Sequence, residues 1–286
     1  MTEPPVLHRH LGRLLRDAHL RAHDKARESL PGGRHPRDWG VLAVIDEDGP
    51  VSQQQLAELI GMHRTMIVGV IDALERDGLV ARTRNPEDRR SYALELTDAG
   101  DEALARTSPE ILTAEGEFLG GLSARQQDRL AELLRALVSV DRTRPLPPVL
   151  AERPGYLLAA AHRLSKDRFE AVLEPFGLDA HGFAALIVLA ELGPSSQQRL
   201  ADELALSGTM IVQVVDVLES ADLVERRRSA SDRRVNLVHL TEQGAETERG
   251  IMKGRAETLG DLTAQLADGE EAELCELLRA LLGQSS

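Results

Sequence analysis

The fold is decided by Asn85-Pro86-Glu87-Asp88-Arg89-Arg90-Ser91 and the stretch that follows it, Tyr92-Ala93-Leu94-Glu95-Leu96-Thr97. Apolar and polar residues alternate after Tyr92, which is the period of a half-buried strand. Leu79-Val80 opens an apolar strand ahead of it, and Asn-Pro between the two is a turn former. Strand, arginine-tipped loop and returning strand together make a β-hairpin wing. The pattern recurs as Ser231-Asp232-Arg233-Arg234 and Val235-Asn236-Leu237-Val238-His239-Leu240-Thr241, displaced by 232 − 88 = 144 residues.

The same shift aligns Leu42–Leu137 with Leu186–Leu281 without a gap. Gly49-Pro50 falls on Gly193-Pro194, Ser52-Gln53-Gln54 on Ser196-Gln197-Gln198, and Thr65-Met66-Ile67-Val68 on Thr209-Met210-Ile211-Val212. Upstream, Pro31 meets Pro175 and Trp39 meets Phe183. A match of this length is a duplicated domain. Each copy reads as a first helix, near 7–29 or 154–174, stopped by Pro31 or Pro175. A second helix carries Trp39, Leu42 and Ile45, or Phe183, Leu186 and Leu189, and stops at Gly-Pro. Ser52 and Ser196 are N-cap candidates for a short third helix. A fourth helix follows, Arg64–Arg76 or Gly208–Ser220, with Ile67, Val70, Ile71 and Leu74 as its apolar face. After the hairpin, Thr97 and Thr241 cap a long fifth helix, and a last helix ends near Val140 or Leu282. The expected domains are 1–143 and 153–286, joined by a Pro-rich linker at 144–152 that reads as an extended, semi-rigid spacer.

Composition limits the function. The net charge of −13 argues against indiscriminate nucleic-acid binding but not against a local basic patch. Five Arg against two acids lie in Leu223–Arg234, so the charge is unevenly spread and a patch exists at the wing. Few aromatic residues and much Ala, Leu, Glu and Arg make the chain mostly helical. One cysteine, Cys275, forms no intramolecular disulfide, and no apolar run reaches membrane-spanning length, so a soluble cytoplasmic protein without membrane contact is expected. Phosphate-binding loops, HExxH and G-x-S-x-G are absent, so no enzyme is expected, and no cofactor.

Three helices and a wing holding Asp-Arg-Arg, closed by Leu-Thr-x-x-Gly, resemble the MarR family of winged helix-turn-helix regulators. The residues that carry the resemblance are Asp88-Arg89-Arg90 with Leu96-Thr97-Asp98-Ala99-Gly100, and Asp232-Arg233-Arg234 with Leu240-Thr241-Glu242-Gln243-Gly244. Asp72–Val80 also resembles the family's end of recognition helix and first wing strand. The implied fold is mainly α with small β wings. Its two winged helix-turn-helix domains would be joined by helices into an intramolecular pseudo-dimer, in place of the family's usual homodimer. The implied partner is double-stranded DNA.

By that resemblance the recognition-helix readers are His63, Arg64, Thr65, Met66, Val68 and Gly69, against Ser207, Gly208, Thr209, Met210, Val212 and Gln213. Thr65 and Thr209 fit either a helix cap or a phosphate contact. Met66 and Val68 fit either thymine methyls or the core. The copies differ where they read, Arg64 against Gly208 and Gly69 against Gln213, so an operator with unequal half-sites is expected. Arg90 and Arg234 are the expected minor-groove residues, steered by Asp88 and Asp232, with Arg89 and Arg233 beside them. Arg82, Arg84, Arg226, Arg227 and Arg228 are expected to meet phosphates.

A small aromatic or anionic effector is implied as well, with His19, His23, Trp39, His162, Arg163 and His181 as candidate pocket residues, Trp39 reading also as core. His8, His10, His19 and His23 read as a solvated face rather than a metal site, and Cys275 as a buried small residue. The expected function is a ligand-responsive repressor. The competing class is a protein-interaction module whose winged helices have weakened base readout, and further oligomerisation is compatible with either.

Overall fold

A computed structural model describes residues 11–30, 34–84, 92–141, 146–228 and 236–284. His8, His10 and the wing residues Asp88, Arg89, Arg90, Asp232, Arg233 and Arg234 lie outside the described residues. The chain divides into two compact units, Met1–Ser165 with Thr263–Ser286, and Lys166–Leu262. The division is not that of the repeat, because the last helix of copy two lies in the first unit.

In the first unit α1 (Leu11–Ser29) and α2 (Pro36–Asp48) precede a two-residue strand β1 (Val51–Ser52). Pro36 is tolerated at the start of α2, where its missing N–H has no helical partner to lose. Gly49 ends α2 at φ 70°, a conformation glycine adopts at little cost. Ser52 then forms a capping box with Gln55 and starts α3 (Gln53–Ile60), which ends at left-handed Gly61. Next come α4 (Arg64–Arg76), β2 (Val80–Arg84) and β3 (Tyr92–Leu96), with β3 lying between β1 and β2 in an antiparallel sheet. Ile67, Val70, Ile71 and Leu74 of α4 are buried against Leu42, Leu56 and Leu94, as their spacing requires.

The rest of this unit is helical. Thr97 caps α5 (Asp98–Leu119) by accepting from Gly100 N–H, and α6 (Ala124–Val138) follows. α13 (Glu270–Leu282) packs on α1 and α6. Leu14, Leu15, Leu130, Leu133, Leu134, Leu137, Leu274 and Leu278 are buried there. The expected spacer at 144–152 is not extended throughout, since Pro148–Ala151 forms the one-turn helix α7. Leu150 is fully buried in the winged-helix core, and Glu47 accepts a hydrogen bond from Val149 N–H at 2.9 Å. Apolar burial overrides the extended preference of the prolines.

The second unit repeats the order with most of α8 (Pro154–Leu173), a 3-10 turn at Glu174–Phe176, α9 (Ala180–Leu192), β4 (Ser195–Ser196) and α10 (Gln197–Leu204). α11 (Gly208–Ser220), β5 (Val224–Arg228), β6 (Asn236–Leu240) and α12 (Glu242–Thr263) complete it. β6 lies between β4 and β5. Two winged helix-turn-helix domains in a mainly α chain are therefore present, as the sequence predicts. No single helix among the described residues is long and apolar enough to cross a membrane.

Candidate nucleic-acid interface

Each recognition helix shows an outward stripe. Thr65, Val68, Gly69 and Asp72 stand at i, i+3, i+4 and i+7 and are all exposed. Thr209, Val212, Gln213 and Asp216 repeat the stripe on α11. Met66 and Val68 are 53% and 41% exposed, and Met210 and Val212 are both 42% exposed. The core reading of Met66 is thereby overturned, because Ile67 and Ile211 supply the buried side chains at these turns.

The N-caps of the two helices are not the threonines. His63 and Ser207 are the N-caps, and Ser207 Oγ accepts from Met210 N–H at 3.2 Å. His63 makes no side-chain cap bond and instead lies 3.0 Å from Thr65 Oγ1 through Nδ1. Thr65 and Thr209 are thus not the N-caps, and stand as the second residues of exposed helix starts. Arg64 is held by Gln54, whose Oε1 accepts from Nη2 at 2.9 Å, while Gly208 leaves that position bare in copy two. A side chain at Gly69 or Gly208 would meet nothing within 4 Å.

The strand arginines fall into two groups. Arg82 donates to Asp72 at 2.6 Å and to Glu75, both on α4. Arg226 repeats this with Asp216 at 2.5 Å and Glu219, both on α11. The expected phosphate role does not suit these two, because each guanidinium is already matched to two carboxylates. They tie the first wing strand to the recognition helix and mask its acids, so they position the wing. Arg227 pairs with Glu225, whereas Arg84 and Arg228 are exposed at the strand ends, opposite Tyr92 and Asn236 in the ladder. Sequence reasoning passed over Tyr92, which is 60% exposed at the base of the first wing. Its place at the start of β3 was the signal for it, although both Ala93 and Leu94 after it are buried and the burial does not strictly alternate. Gln54 was missed as well, and only folding brings it to Arg64.

Comparison with known proteins places this geometry. A model described as MarR family matches residues 36–92, and a second with the same description matches 176–235. A solved structure of a probable transcriptional regulator from Pseudomonas aeruginosa is 31% identical, with a TM-score of 0.43, over 44% of this chain and 96% of that one. The HTH-type transcriptional regulator MhqR of Bacillus subtilis (strain 168) is 32% identical over 124 residues, 43% of this chain and 85% of its own length. A putative transcriptional regulatory protein for the hcr operon of Thauera aromatica is 35% identical over 113 residues, 40% of this chain and 68% of its own. The chain belongs to the MarR family. It carries the MarR domain twice and is a DNA-binding transcriptional regulator.

The candidate effector residues of this MarR chain are drawn together only in part. His19, His23 and His162 meet His35 in one cluster of the first unit. His19 stacks on His162 with ring centroids 5.4 Å apart, and His23 lies 4.6 Å from His35. The solvated-face reading of His19 and His23 is therefore corrected, since His162 of α8 stacks on His19 and His35, ahead of α2, pairs with His23. The hydrogen bonds fix tautomers. Arg37 N–H donates to His35 Nδ1 at 3.1 Å, so neutral His35 carries its proton on Nε2. That proton is donated to His23 Nε2 at 3.0 Å, which leaves the His23 proton on Nδ1, 3.4 Å from Asp24 Oδ1.

Burial, His162, His23 and Arg163 push the His19 imidazole down to about 4, against a weaker pull from Asp24. Burial, Arg37, His23 and Arg27 push His35 to about 4 as well, against Asp38. Both rings are neutral in the folded protein at pH 7, but in the unfolded chain they protonate near pH 6.5. Between about pH 6.5 and 4 the unfolded state thus binds the extra protons, and stability falls as pH falls. Thermal unfolding midpoints followed through this window should drop for the wild type and drop less for His35→Asn, which keeps a neutral N-cap. Equal slopes for the two proteins would refute the assignment.

Trp39 is buried and donates its indole N–H to Ser108 Oγ at 3.0 Å, so it is core. It also lines a small recess with Leu30, Arg34, His35, Asp38 and Thr107, whose cavity volume of about 10 Å³ has room for about one water. Arg163 points elsewhere and donates to Ile60 O at 3.1 Å, in the space that Gly61 leaves beside the end of α3. His181 belongs to the second unit and is exposed, 3.6 Å from Asp179. In that unit sequence reasoning passed over Arg255, whose guanidinium lies 6.0 Å from the Phe169 ring centroid and is pushed down by burial. Its counterpart in copy one is Ile111, 255 − 144, so the two copies differ in charge at this position. Cys275 is buried, and burial raises its thiol. No group of three metal-ligating side chains occurs among the described residues.

Proposed function

We propose that the chain is a repressor that reads an operator with unequal half-sites as a single-chain pseudo-dimer and is released by a small aromatic, anionic effector. One observation supports the pseudo-dimer above the others. Arg129 of α6 binds Glu273 of α13 at 2.8 Å, and these are the same position in the two copies, 144 residues apart. Glu270 accepts from the same guanidinium at 2.5 Å. Equivalent residues meet in this way across a two-fold axis, where a homodimer would place like against like. Here the position carries opposite charges, which suits copy one to copy two and sets either copy against itself.

Unequal reading is supported by the divergence of Arg64 from Gly208 and Gly69 from Gln213 on otherwise matching exposed stripes. Arg84, Arg227 and Arg228 would meet phosphates beside the wing arginines, with Tyr92 adding a hydroxyl contact. The domain boundaries are read as 1–143 and 153–286, with 144–152 between them. For the effector, Arg34 and His35 supply positive and hydrogen-bonding groups at the mouth of an apolar recess beside Trp39. An effector that widened this recess would move α1 and α2 against α5, the helices that flank the first winged helix.

The test is footprinting and site selection on the DNA upstream of the chain's own gene, with and without benzoate as the probe. Wild type is expected to select two different half-sites about one helical turn apart. The variant Gly69→Gln with Gly208→Arg gives both helices Arg and Gln in open space, and should shift selection toward a palindrome. Benzoate should weaken the complex and change the emission of Trp39, the single tryptophan. A perfect palindrome as the best wild-type site would overturn the asymmetric reading, and no response to benzoate or related acids would overturn the effector.

A further inference from the structure

The exposed apolar side chains of this protein are not scattered. Of the eleven large hydrophobic residues exposed among the described residues, Met66, Val68, Met210, Val212 and Val217 lie on the two recognition helices. Val68 and Val212 sit inside the outward stripes, three residues after Thr65 and Thr209, and Met66 and Met210 flank them nearer the helix start. A single exposed valine needs no account, but the same valine and methionine on the reading face of both copies do. Around them the polar readers have changed between copies, while Thr-Met-Ile-Val has not. Its isoleucine is accounted for by burial; its threonine, methionine and valine are not.

An apolar side chain on a major-groove helix has one apolar target there, the C5-methyl of thymine. Valine and methionine offer no hydrogen bond and cannot distinguish the other bases by donor and acceptor pattern. We infer that Val68 and Val212, flanked by Met66 and Met210, read thymine methyls at corresponding positions of the two half-sites, a shared element on which the unequal polar contacts are built. The inference rests on the DNA-reading function proposed above and names the chemical group that this face recognises. On this view Arg64 in copy one and Gln213 in copy two set the half-sites apart, and the methyl contact makes them alike.

Thymine-to-uracil replacement tests it, since deoxyuridine removes the methyl and leaves every hydrogen-bonding group in place. With the selected operator, uracil is placed at each thymine in turn and binding is measured at fixed salt. One or two positions per half-site are expected to weaken binding about fourfold each, the value of burying one methyl-sized group. Val68→Ala should abolish the uracil effect in one half-site only, and Val212→Ala in the other. Both positions are exposed, so neither variant is expected to disturb folding, and circular dichroism checks this. An operator fully substituted with uracil that binds as tightly as the parent would overturn the inference and leave sequence-specific DNA reading intact. Loss of the uracil effect in neither valine variant would also overturn it. Failure to select any operator would instead count against the DNA-reading function itself.

Discussion

Gly100→Ala is expected to destabilise the first winged helix by about 3 kcal/mol, at the upper end of ordinary overpacking. The glycine of Leu-Thr-x-x-Gly lies where α5 starts across the turn before β2. Thr97 N–H donates to Leu79 O at 3.1 Å, and Thr97 Oγ1 donates to Gly78 O at 2.6 Å. Gly100 N–H completes the knot by donating to Thr97 Oγ1 at 3.1 Å. A Cβ on Gly100 would overlap the Leu79 carbonyl oxygen, which belongs to backbone that cannot step aside. Copy two repeats every part, with Thr241 bonded to Leu223 O and Asp222 O and a Cβ on Gly244 overlapping Leu223 O. Gly69→Ala is the matched control. It adds a methyl to an open helix surface, and should stabilise by about 1 kcal/mol through helix propensity alone. Urea unfolding of the two variants should therefore move in opposite directions, and a neutral Gly100→Ala would refute the packing account.

Loss of the wing arginines is expected to have the second large effect, on DNA rather than on folding. Arg90→Ala or Arg234→Ala should weaken operator binding by roughly 1–3 kcal/mol each. Additive contacts predict that the pair together weakens it by roughly the sum. Both residues lie outside the described residues, but the ladders leading to them are in register to Arg84 opposite Tyr92 and Arg228 opposite Asn236. Arg82→Ala provides the contrast. It removes no proposed DNA contact, unmasks Asp72 and Glu75 beside the reading stripe, and should weaken binding through wing placement and charge. Fluorescence anisotropy across a salt series separates the two. Losing a direct arginine contact lowers the salt dependence, whereas losing a positioning residue leaves the slope nearly unchanged. Full affinity in the double wing variant would remove the wings from the DNA interface.

Much of this protein is legible in its residues. Gly-Pro punctuation and the Ser52 cap placed the end of α2 and the start of α3, and the 3.6-residue spacing of Ile67, Val70, Ile71 and Leu74 gave the buried face of α4. These signals are local: caps act within one turn, and periodicity is a property of one element. Where the sequence offered two readings, the third dimension chose. Met66 is exposed because Ile67 fills the core, and Thr65 is not a cap because His63 occupies that place. The phosphate role of Arg82 and Arg226 failed for a related reason. Asp72 and Glu75 lie on another element, and only the fold brings them to the strand.

The sequence by itself determined that a winged helix-turn-helix domain occurs twice, that the wings retain Asp-Arg-Arg, and that the recognition helices differ at three reading positions. A shift of 144 residues shows all of this without coordinates, because duplication leaves its register in the chain. Tertiary structure alone decided what depends on residues far apart meeting. Arg129 meets its own counterpart Glu273, Arg163 lies in the space left by Gly61, and the half-buried ring of Tyr156 stands over Gly40, where a methyl group would collide with its hydroxyl. None of these pairs carries a local signal, since complementarity of charge and volume is set by the partner and not by the neighbour in sequence.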